Sequence, residues 1–293
     1  MEVSAKDVMK LRQATGAGMM DCKKALAESG GSFDEAMDYL RKKGLKTAEK
    51  RADRDANEGK VVAVISADGR QGALLELNSE TDFVSGTEDF RSFAQACASQ
   101  VLAHNPADGD ALMALAHPGA DGTLGDTLNT LVGKLGEKIG VRRFSRVEIP
   151  AGEQGVVQSY IHLGDKHGVM LHATCGKADT ASNDSFKELV NDLCLQIVAY
   201  GAKAVDRDGL DLALIEKELE LYREITRNEG KPEAMIDKIA EGKLNKFVNE
   251  VTLLGQTFVK DDKATVQQHI NSVGKSLGDT LVVKGFSSFV IGE

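Results

Sequence analysis

Cysteine is scarce in this chain: four of its 293 residues carry a thiol, and none of them forms a Cys-x-x-Cys pair. Disulfide frameworks belong to short, cysteine-dense secreted chains, so these four residues do not make one. We therefore expect reduced thiols and a cytoplasmic location. The cysteines are Cys22, Cys97, Cys175 and Cys194.

Long apolar runs are also missing. No stretch approaches the ~18 residues that a membrane-spanning helix needs, so no transmembrane segment is expected. The first residues, Met1 to Asp7, lack the cationic and apolar regions of a signal peptide. Acidic residues outnumber basic ones, 45 to 36, for a net charge of −9. This balance disfavours nonspecific binding to nucleic acid, and we expect neither a nucleic-acid nor a membrane partner.

The motifs of nucleotide and dinucleotide sites are incomplete. Gly274-Lys275-Ser276 resembles the end of a phosphate-binding loop, but His269 stands where its first glycine is required. Gly16-Ala17-Gly18 follows a predicted helix rather than a strand, which favours a turn between helices. We expect no direct nucleotide binding.

Metal and catalytic groupings are equally weak. His162, His167, His172 and Cys175 fall within one predicted hairpin, but their spacing matches no known metal cluster. No Ser-His-Asp or Cys-His arrangement has supporting context. We therefore expect no metal, no cofactor and no catalytic residue, and the chain is not predicted to be an enzyme.

Residues 1–45 predict three short helices. Ser4 and Ser32 are suitable N-caps for the first and third, and Gly44 is a suitable C-cap for the third. So small a bundle has a marginal core and typically serves to hold a partner. Residues 46–58 are charged and predict a helical or extended linker.

The rest of the chain repeats itself. A shift of 96 residues aligns Val61 with Val157, Gly72 with Gly168 and Phe90 with Phe186, as the printed sequence shows. Each copy predicts a strand, a glycine-containing turn, a second strand, a loop and a helix. At a shift of 142 residues, Leu135-Gly136 and Phe144-Ser145 recur as Leu277-Gly278 and Phe286-Ser287. The surrounding runs, Val141–Ile149 and Leu281–Ile291, each predict a third strand.

The second copy contains an additional segment. Residues 209–250 carry two amphipathic patterns separated by Gly230-Lys231-Pro232, which predicts an antiparallel helical hairpin. The predicted division is a bundle (1–45), a linker (46–58), a first core subdomain (59–150) and a second (151–293). The predicted fold class is α+β, with two small antiparallel sheets, helices packed on them and a protruding hairpin.

The segment Glu76–Val84 stands out within the first copy. It places an aromatic side chain, Phe83, beside a carboxylate, Asp82, near a strand-to-helix connection. A phenylalanine at such a place is more often buried in the core. In the second copy, however, Lys177-Ala178-Asp179-Thr180 occupies the aligned positions and has no aromatic residue. The shared core therefore does not require Phe83, which favours a special role in the first copy or a local difference in packing.

Two adjacent methionines, Met19 and Met20, begin the second predicted helix. Methionine is a soft, adaptable side chain that serves both in cores and on contact surfaces. The pattern alone favours core packing.

Two runs of the chain are similar to the signature runs of the bacterial elongation factor Ts family. They are Leu11–Leu26, which contains Thr15-Gly16-Ala17-Gly18-Met19-Met20-Asp21-Cys22, and Glu76–Val84, which contains Thr81-Asp82-Phe83-Val84. The resemblance extends through nearly the whole chain. It implies that the N-terminal helices form a ubiquitin-associated-like bundle.

The resemblance also implies a function and its residues. Members of that family are guanine-nucleotide exchange factors for elongation factor Tu in translation elongation; they displace Mg²⁺ so that GDP leaves and GTP binds. The segment Thr81, Asp82, Phe83 and Val84 would enter the partner, with Phe83 as the wedge. The N-terminal contacts would be Arg12, Met19 and Met20. His162 is a weaker candidate, in the second core copy.

One departure from the family concerns the last residues. Here Ile291-Gly292-Glu293 directly follows the last predicted strand, whereas some members continue with a further helix that touches the partner. The resemblance therefore does not carry contacts of that kind over to this chain.

Two other classes of function stay open at this point. A scaffold or adaptor would use the N-terminal bundle as a binding module and the hairpin as an assembly arm, but it leaves Phe83 unexplained. An enzyme would need a ligand site that the sequence does not reveal.

Overall fold

The computed structural model describes residues 3–293. Met1 and Glu2, on which the signal-peptide prediction partly rests, lie outside the described residues. Within residues 3–293, no helix combines the length and the apolar character needed to cross a membrane.

Three helices open the described chain: α1 (Ala5–Thr15), α2 (Met19–Glu28) and α3 (Phe33–Arg51). The predicted N-caps are confirmed, since Ser4 Oγ accepts the Asp7 N–H and Ser32 Oγ accepts the Glu35 N–H. Small and aliphatic side chains from all three helices form their shared core: Val8, Leu11, Cys22, Ala25, Leu26 and Ala36.

The first core copy contains three strands and four helices. In chain order they are β1 (Glu58–Ile65), β2 (Gln71–Ser79), α4 (Asp82–Ser85), α5 (Glu88–His104), α6 (Gly109–Met113), α7 (Leu124–Leu135) and β3 (Ile139–Glu148). The strands form an antiparallel sheet in the order β1-β2-β3.

The second copy repeats this plan with an insertion. Its elements are β4 (Gln154–Ile161), β5 (His167–Cys175), α8 (Ala178–Ser182), α9 (Asp184–Tyr200), α10 (Leu212–Asn228), α11 (Glu233–Val251), β6 (Thr257–Phe258), β7 (Asp261–Thr265), α12 (Val266–Leu277) and β8 (Leu281–Val290). The order β4-β5-β8 matches that of the first sheet, and β6 pairs with β7 in a small separate ribbon.

Strand register confirms the predicted repeat. Gly72 pairs with Ile65 in the first sheet, and Gly168 pairs with Ile161 in the second, 96 residues later. Both middle strands also have a register shift at the same place, after Glu76 in β2 and after His172 in β5. The α+β fold class is therefore confirmed, with the two copies alike down to their irregularities.

The two sheets pack face to face. Alternation along each middle strand sends Leu74 and Met170 into the layer between the sheets. The neighbouring residues Leu75 and Leu171 face the other way, onto helices α5 and α9 respectively. The molecule is thus layered as helices, sheet, sheet and helices.

Hydrogen bonds across this layer follow the same pseudo-twofold relation. The Val61 N–H donates to the Asp165 carbonyl (2.7 Å), and the Val157 N–H donates to the Gly69 carbonyl (2.8 Å). Both the donors and the acceptors are 96 residues apart. Each hairpin turn is therefore tied to the first strand of the other copy.

The predicted helical hairpin is α10 packed against α11. Ile215, Leu219 and Tyr222 of α10 line one side of a cluster whose buried members include Leu244 and Val248 of α11. Seventeen residues at ~1.5 Å each make α10 roughly 25 Å long.

Gly44 does not cap α3, contrary to the prediction. The helix continues to Arg51, and Gly44 lies buried inside it, against α7. A Cβ at Gly44 would approach the Asn129 carbonyl oxygen to 2.5 Å, and one at Gly133 would approach the Gly44 Cα to 3.0 Å. This glycine is required because the backbones of α3 and α7 meet there.

The division of the chain into domains stays a prediction.

This contact yields a test with an internal control. Gly44→Ala is expected to lower the thermal midpoint, because overpacking at a backbone contact costs about 1–3 kcal/mol. Gly242→Ala, inside α11 with open space around its Cα, is expected to raise it, because alanine is favoured over glycine in helices by ~1 kcal/mol. Thermal unfolding monitored by circular dichroism measures both, and a stabilised Gly44→Ala variant would contradict the close approach of α3 and α7.

Candidate functional site

Phe83 projects from the body of the protein. It lies in the one-turn helix α4, directly after the middle strand β2, and its side chain is 86% exposed. Its neighbour Val84 is 7% exposed and packs into the first core copy. The expectation of a core phenylalanine is wrong here. The inference from the repeat, that the shared core does not need Phe83, agrees with this exposure.

Bonds on both sides hold the backbone of this segment. Thr81 donates to Glu137 twice, from its N–H to Oε2 (3.0 Å) and from its Oγ1 to Oε1 (2.8 Å). The Ser79 hydroxyl donates to the Thr81 carbonyl (2.8 Å), and the Ser85 hydroxyl donates to the Asp82 carbonyl (3.1 Å). Phe83 is therefore an exposed ring on a restrained backbone.

Glu80 ties the same segment to α3. Its carboxylate accepts from Arg51 (2.6 Å), from Arg54 (3.1 Å) and from the backbone N–H of Lys138 (2.7 Å). Burial alone would raise the pKa of this carboxyl, but the hydrogen bonds from Lys138, Arg51 and Arg54 outweigh it and hold the pKa below its ordinary value. Glu80 is therefore ionised at neutral pH.

Asp82 is exposed beside Phe83. Its charge reaches Lys166, in the turn between β4 and β5. The pKa of Lys166 is raised chiefly by its hydrogen bond to Glu58 (2.8 Å) and further by the charge of Asp82. The two copies therefore present opposite charges near the Phe83 segment.

The second copy has the same exit from its middle strand without the aromatic ring. Helix α8 corresponds to α4, with Asp179 at the position of Phe83 and buried Thr180 at that of Val84. Asp279 accepts the N–H groups of Gly176 and Lys177, each at 3.0 Å. Asp279 therefore restrains the chain before α8, as Glu137 restrains the chain before α4.

The N-terminal candidates lie at one end of the three-helix bundle. Arg12 is exposed near the end of α1, and Met19 and Met20 are 48% and 73% exposed at the start of α2. Core packing of the two methionines, which the pattern favoured, is wrong. Gly16, in the left-handed conformation with φ 66°, makes the turn that brings the two helix ends together.

His162 is exposed in the turn between β4 and β5, and its Nδ1 lies 3.3 Å from the Tyr160 hydroxyl. Beside it Leu163 is 90% exposed, a residue that the sequence reasoning missed. The repeat contained the signal, because Leu163 aligns with the small Ala67 of the first copy.

The structure brings this turn close to the first copy. The Lys60 ammonium donates to the Gly164 carbonyl (3.0 Å) and to Asp165 (2.9 Å). The other histidines of the hairpin are partly buried, which lowers the pKa of His167 and of His172. No group of three or more metal-ligating side chains occurs in the part of the chain that the structure describes.

Comparison with known proteins gives a consistent result. The family model described as "Elongation factor TS" matches residues 80–293. A protein of Trichlorobacter lovleyi named "Elongation factor Ts" is 43% identical, with 100% of this chain and 94% of the relative covered. Proteins of the same name from Pelodictyon phaeoclathratiforme (45%; 100% and 99% covered) and Desulfovibrio desulfuricans (40%; 97% and 96% covered) are similar too.

The exposure of Phe83 predicts that stability does not depend on it. Phe83→Ala is expected to leave the thermal midpoint within about one degree of the parent value, because the ring is already in water. Phe90→Ala, which empties a fully buried position, is expected to cost about 3–5 kcal/mol. Calorimetric unfolding of both variants measures this, and a strongly destabilised Phe83→Ala protein would mean that the ring packs in the core.

Proposed function

Because the chain belongs to the elongation factor Ts family, we propose that it is a guanine-nucleotide exchange factor for elongation factor Tu in translation elongation. It binds the GDP complex of that partner, displaces Mg²⁺ and promotes GDP release, so that GTP can bind. The observation that carries this proposal is the exposed ring of Phe83 on a backbone held from both sides.

Phe83 acts as the wedge. Burying a phenylalanine side chain contributes about 1.5–3 kcal/mol of apolar transfer free energy. If that free energy stabilises a partner conformation with disrupted Mg²⁺ ligands, it weakens nucleotide affinity by roughly tenfold to a hundredfold, since ~1.4 kcal/mol is tenfold. The rest of the effect comes from the remaining interface.

The residues next to Phe83 have different roles. Asp82 presents its carboxylate beside the ring, where it acts on the charges of the nucleotide site rather than as a catalytic acid. Thr81 and Val84 shape the segment, Thr81 by its two bonds to Glu137 and Val84 by anchoring in the core.

The N-terminal bundle supplies affinity. Arg12, Met19 and Met20 form an exposed patch of one guanidinium and two flexible thioethers, a composition suited to a protein surface. His162 contacts another part of the same partner, and the exposed Leu163 enlarges that contact surface.

Exchange by this route needs no catalytic side chain and no cofactor. A factor that weakens nucleotide binding must itself be bound more weakly when nucleotide is present, by the same factor. The binding free energy of the complex therefore supplies the free energy by which nucleotide binding is weakened. A scaffold or adaptor would bind a partner without changing its nucleotide affinity, and an enzyme would turn over a substrate.

Release of labelled GDP from elongation factor Tu separates these functions. The parent chain is expected to accelerate release, and Phe83→Ala is expected to lower the maximal rate by about tenfold or more, in line with the lost transfer free energy. Leu212→Ala removes another highly exposed apolar side chain, 75% exposed at the start of α10, and is the matched control. Binding without acceleration by the parent chain would favour the adaptor.

The bundle is expected to set affinity rather than maximal rate. Met20→Ala should weaken the complex by about tenfold, as expected for one of the few contact residues that carry most of the binding free energy, while release at saturating factor stays near the parent rate. Met235→Ala, at an exposed methionine of α11, is the control. Titration with nucleotide-free elongation factor Tu gives the dissociation constants, and an unchanged value for Met20→Ala would remove this residue from the interface.

A further inference from the structure

A charged cluster lies behind the Phe83 segment and takes no part in the contacts proposed above. It contains Glu80, Glu137, Lys138, Arg51 and Arg54. These residues come from three separate parts of the chain: the end of β2, the connection from α7 to β3, and the end of α3 with the residues that follow it. The carboxylates of the cluster hold residues 80 and 81, and the Lys138 ammonium bonds the chain after α3.

Glu137 fixes the entry into α4. Both of its oxygens are used by one residue, Thr81, which is the N-cap of that helix and makes no side-chain cap of its own. A four-residue helix has too few internal hydrogen bonds to hold its own direction. The direction in which Phe83 points is therefore set by the bonds at Thr81 together with the packing of Val84.

Glu80 connects the same place to the N-terminal helices. Its side chain is 15% exposed and is held between Arg51 and Arg54. From the other side, the Lys138 ammonium donates to the carbonyls of Ala52 (2.6 Å) and Arg54 (2.8 Å). The end of α3 is thus clamped onto the residues that precede Phe83, and α3 is the helix that α1 and α2 pack against.

We propose that Glu137 and Glu80 are positioning residues of the exchange factor: Glu137 fixes the direction of the Phe83 ring, and Glu80 couples that direction to the N-terminal bundle through Arg51 and Arg54. This inference rests on the proposed function for its effect on exchange, but not for its effect on the ring. A partner bound by the bundle is then held in a fixed orientation relative to the Phe83 ring.

The second copy separates the two roles. Asp279 stands 142 residues after Glu137 and binds the equivalent backbone, so this kind of clamp belongs to the duplicated fold. Glu80, in contrast, aligns with Gly176, which has no side chain to reach a helix. The tie to α3 is specific to the copy that carries Phe83.

The chain contains no tryptophan, so Phe83→Trp creates a single tryptophan reporter at the ring position, excited selectively beyond the tyrosine absorption. In that background, Glu137→Ala and Glu80→Ala are expected to lower the fluorescence anisotropy of the ring. Glu137→Gln is expected to preserve it, because the amide oxygen still accepts the Thr81 N–H and the amide nitrogen donates to the Thr81 hydroxyl. Asp279→Ala removes the equivalent clamp in the other copy and is expected to leave the anisotropy unchanged.

Kinetics give the second measurement, at a temperature well below every thermal midpoint. Glu137→Ala and Glu80→Ala are expected to lower the maximal GDP-release rate on the order of tenfold, because a small misplacement of a working group is costly. In a Phe83→Ala background the same substitutions are expected to have no further effect. Asp279→Ala is expected to keep the parent rate.

The outcomes are separable. Unchanged anisotropy in Glu137→Ala and Glu80→Ala would overturn the positioning role, and so would equal rate losses in the parent and Phe83→Ala backgrounds. If the parent chain does not accelerate GDP release, the proposed function fails, and anisotropy alone then decides whether these carboxylates aim the ring.

Discussion

The face-to-face contact of the two sheets is the constraint on which the rest of the structure depends. Gly72 and Gly168 make it possible: a Cβ at Gly72 would lie 2.7 Å from the Met170 sulfur, and one at Gly168 would lie 2.5 Å from Val61 Cγ1. With one face of each sheet used in this way, the other face must be covered by helices of its own copy. The two most exposed large apolar side chains of the duplicated core, Phe83 and Leu163, accordingly lie where the chain leaves a strand.

An ion pair between a buried carboxylate and a partly exposed arginine adds an asymmetry at this contact. Glu76 is fully buried and accepts from the Arg143 Nε at 2.6 Å, while the same guanidinium donates to the Val290 carbonyl and lies 4.7 Å from the centre of the Phe289 ring. Arg143 belongs to the first sheet, and both Val290 and Phe289 belong to the second. The Glu76 carboxylate also accepts from the Asn78 amide (3.1 Å). Because the Arg143 guanidinium bonds both sheets at once, the pair fixes their relative position more than it adds stability.

The sequence was most informative where structure depends on local pattern. Strands, hairpin turns and the 96-residue repeat were predictable, because period-2 alternation and glycine-containing turns act within a few residues. The C-cap prediction for Gly44 was wrong, because this glycine is required by a close contact with the backbone of Asn129, 85 residues away in the chain. The residue pattern likewise did not predict the exposure of Met19 and Met20, since composition does not say which face of so small a bundle is covered; the family resemblance did imply it. For Phe83, the burial tendency of phenylalanine predicted a core position, whereas comparison of the two copies indicated that the core does not need the ring.

The hydrogen bonds of Glu80 and Glu137 restrain the backbone of the Phe83 segment while the ring itself stays exposed to solvent. Because Phe83 is 86% exposed in the unbound chain, nearly all of its transfer free energy is still available when a partner covers it. A ring on a mobile loop would lose part of that free energy to ordering on binding. Bonds to Thr81 and Glu80 order the backbone beforehand, so the cost is met in folding. In the proposed exchange reaction, the charges of Glu80 and Glu137 act only through this ordering, which reduces the conformational entropy that the Phe83 segment loses on binding.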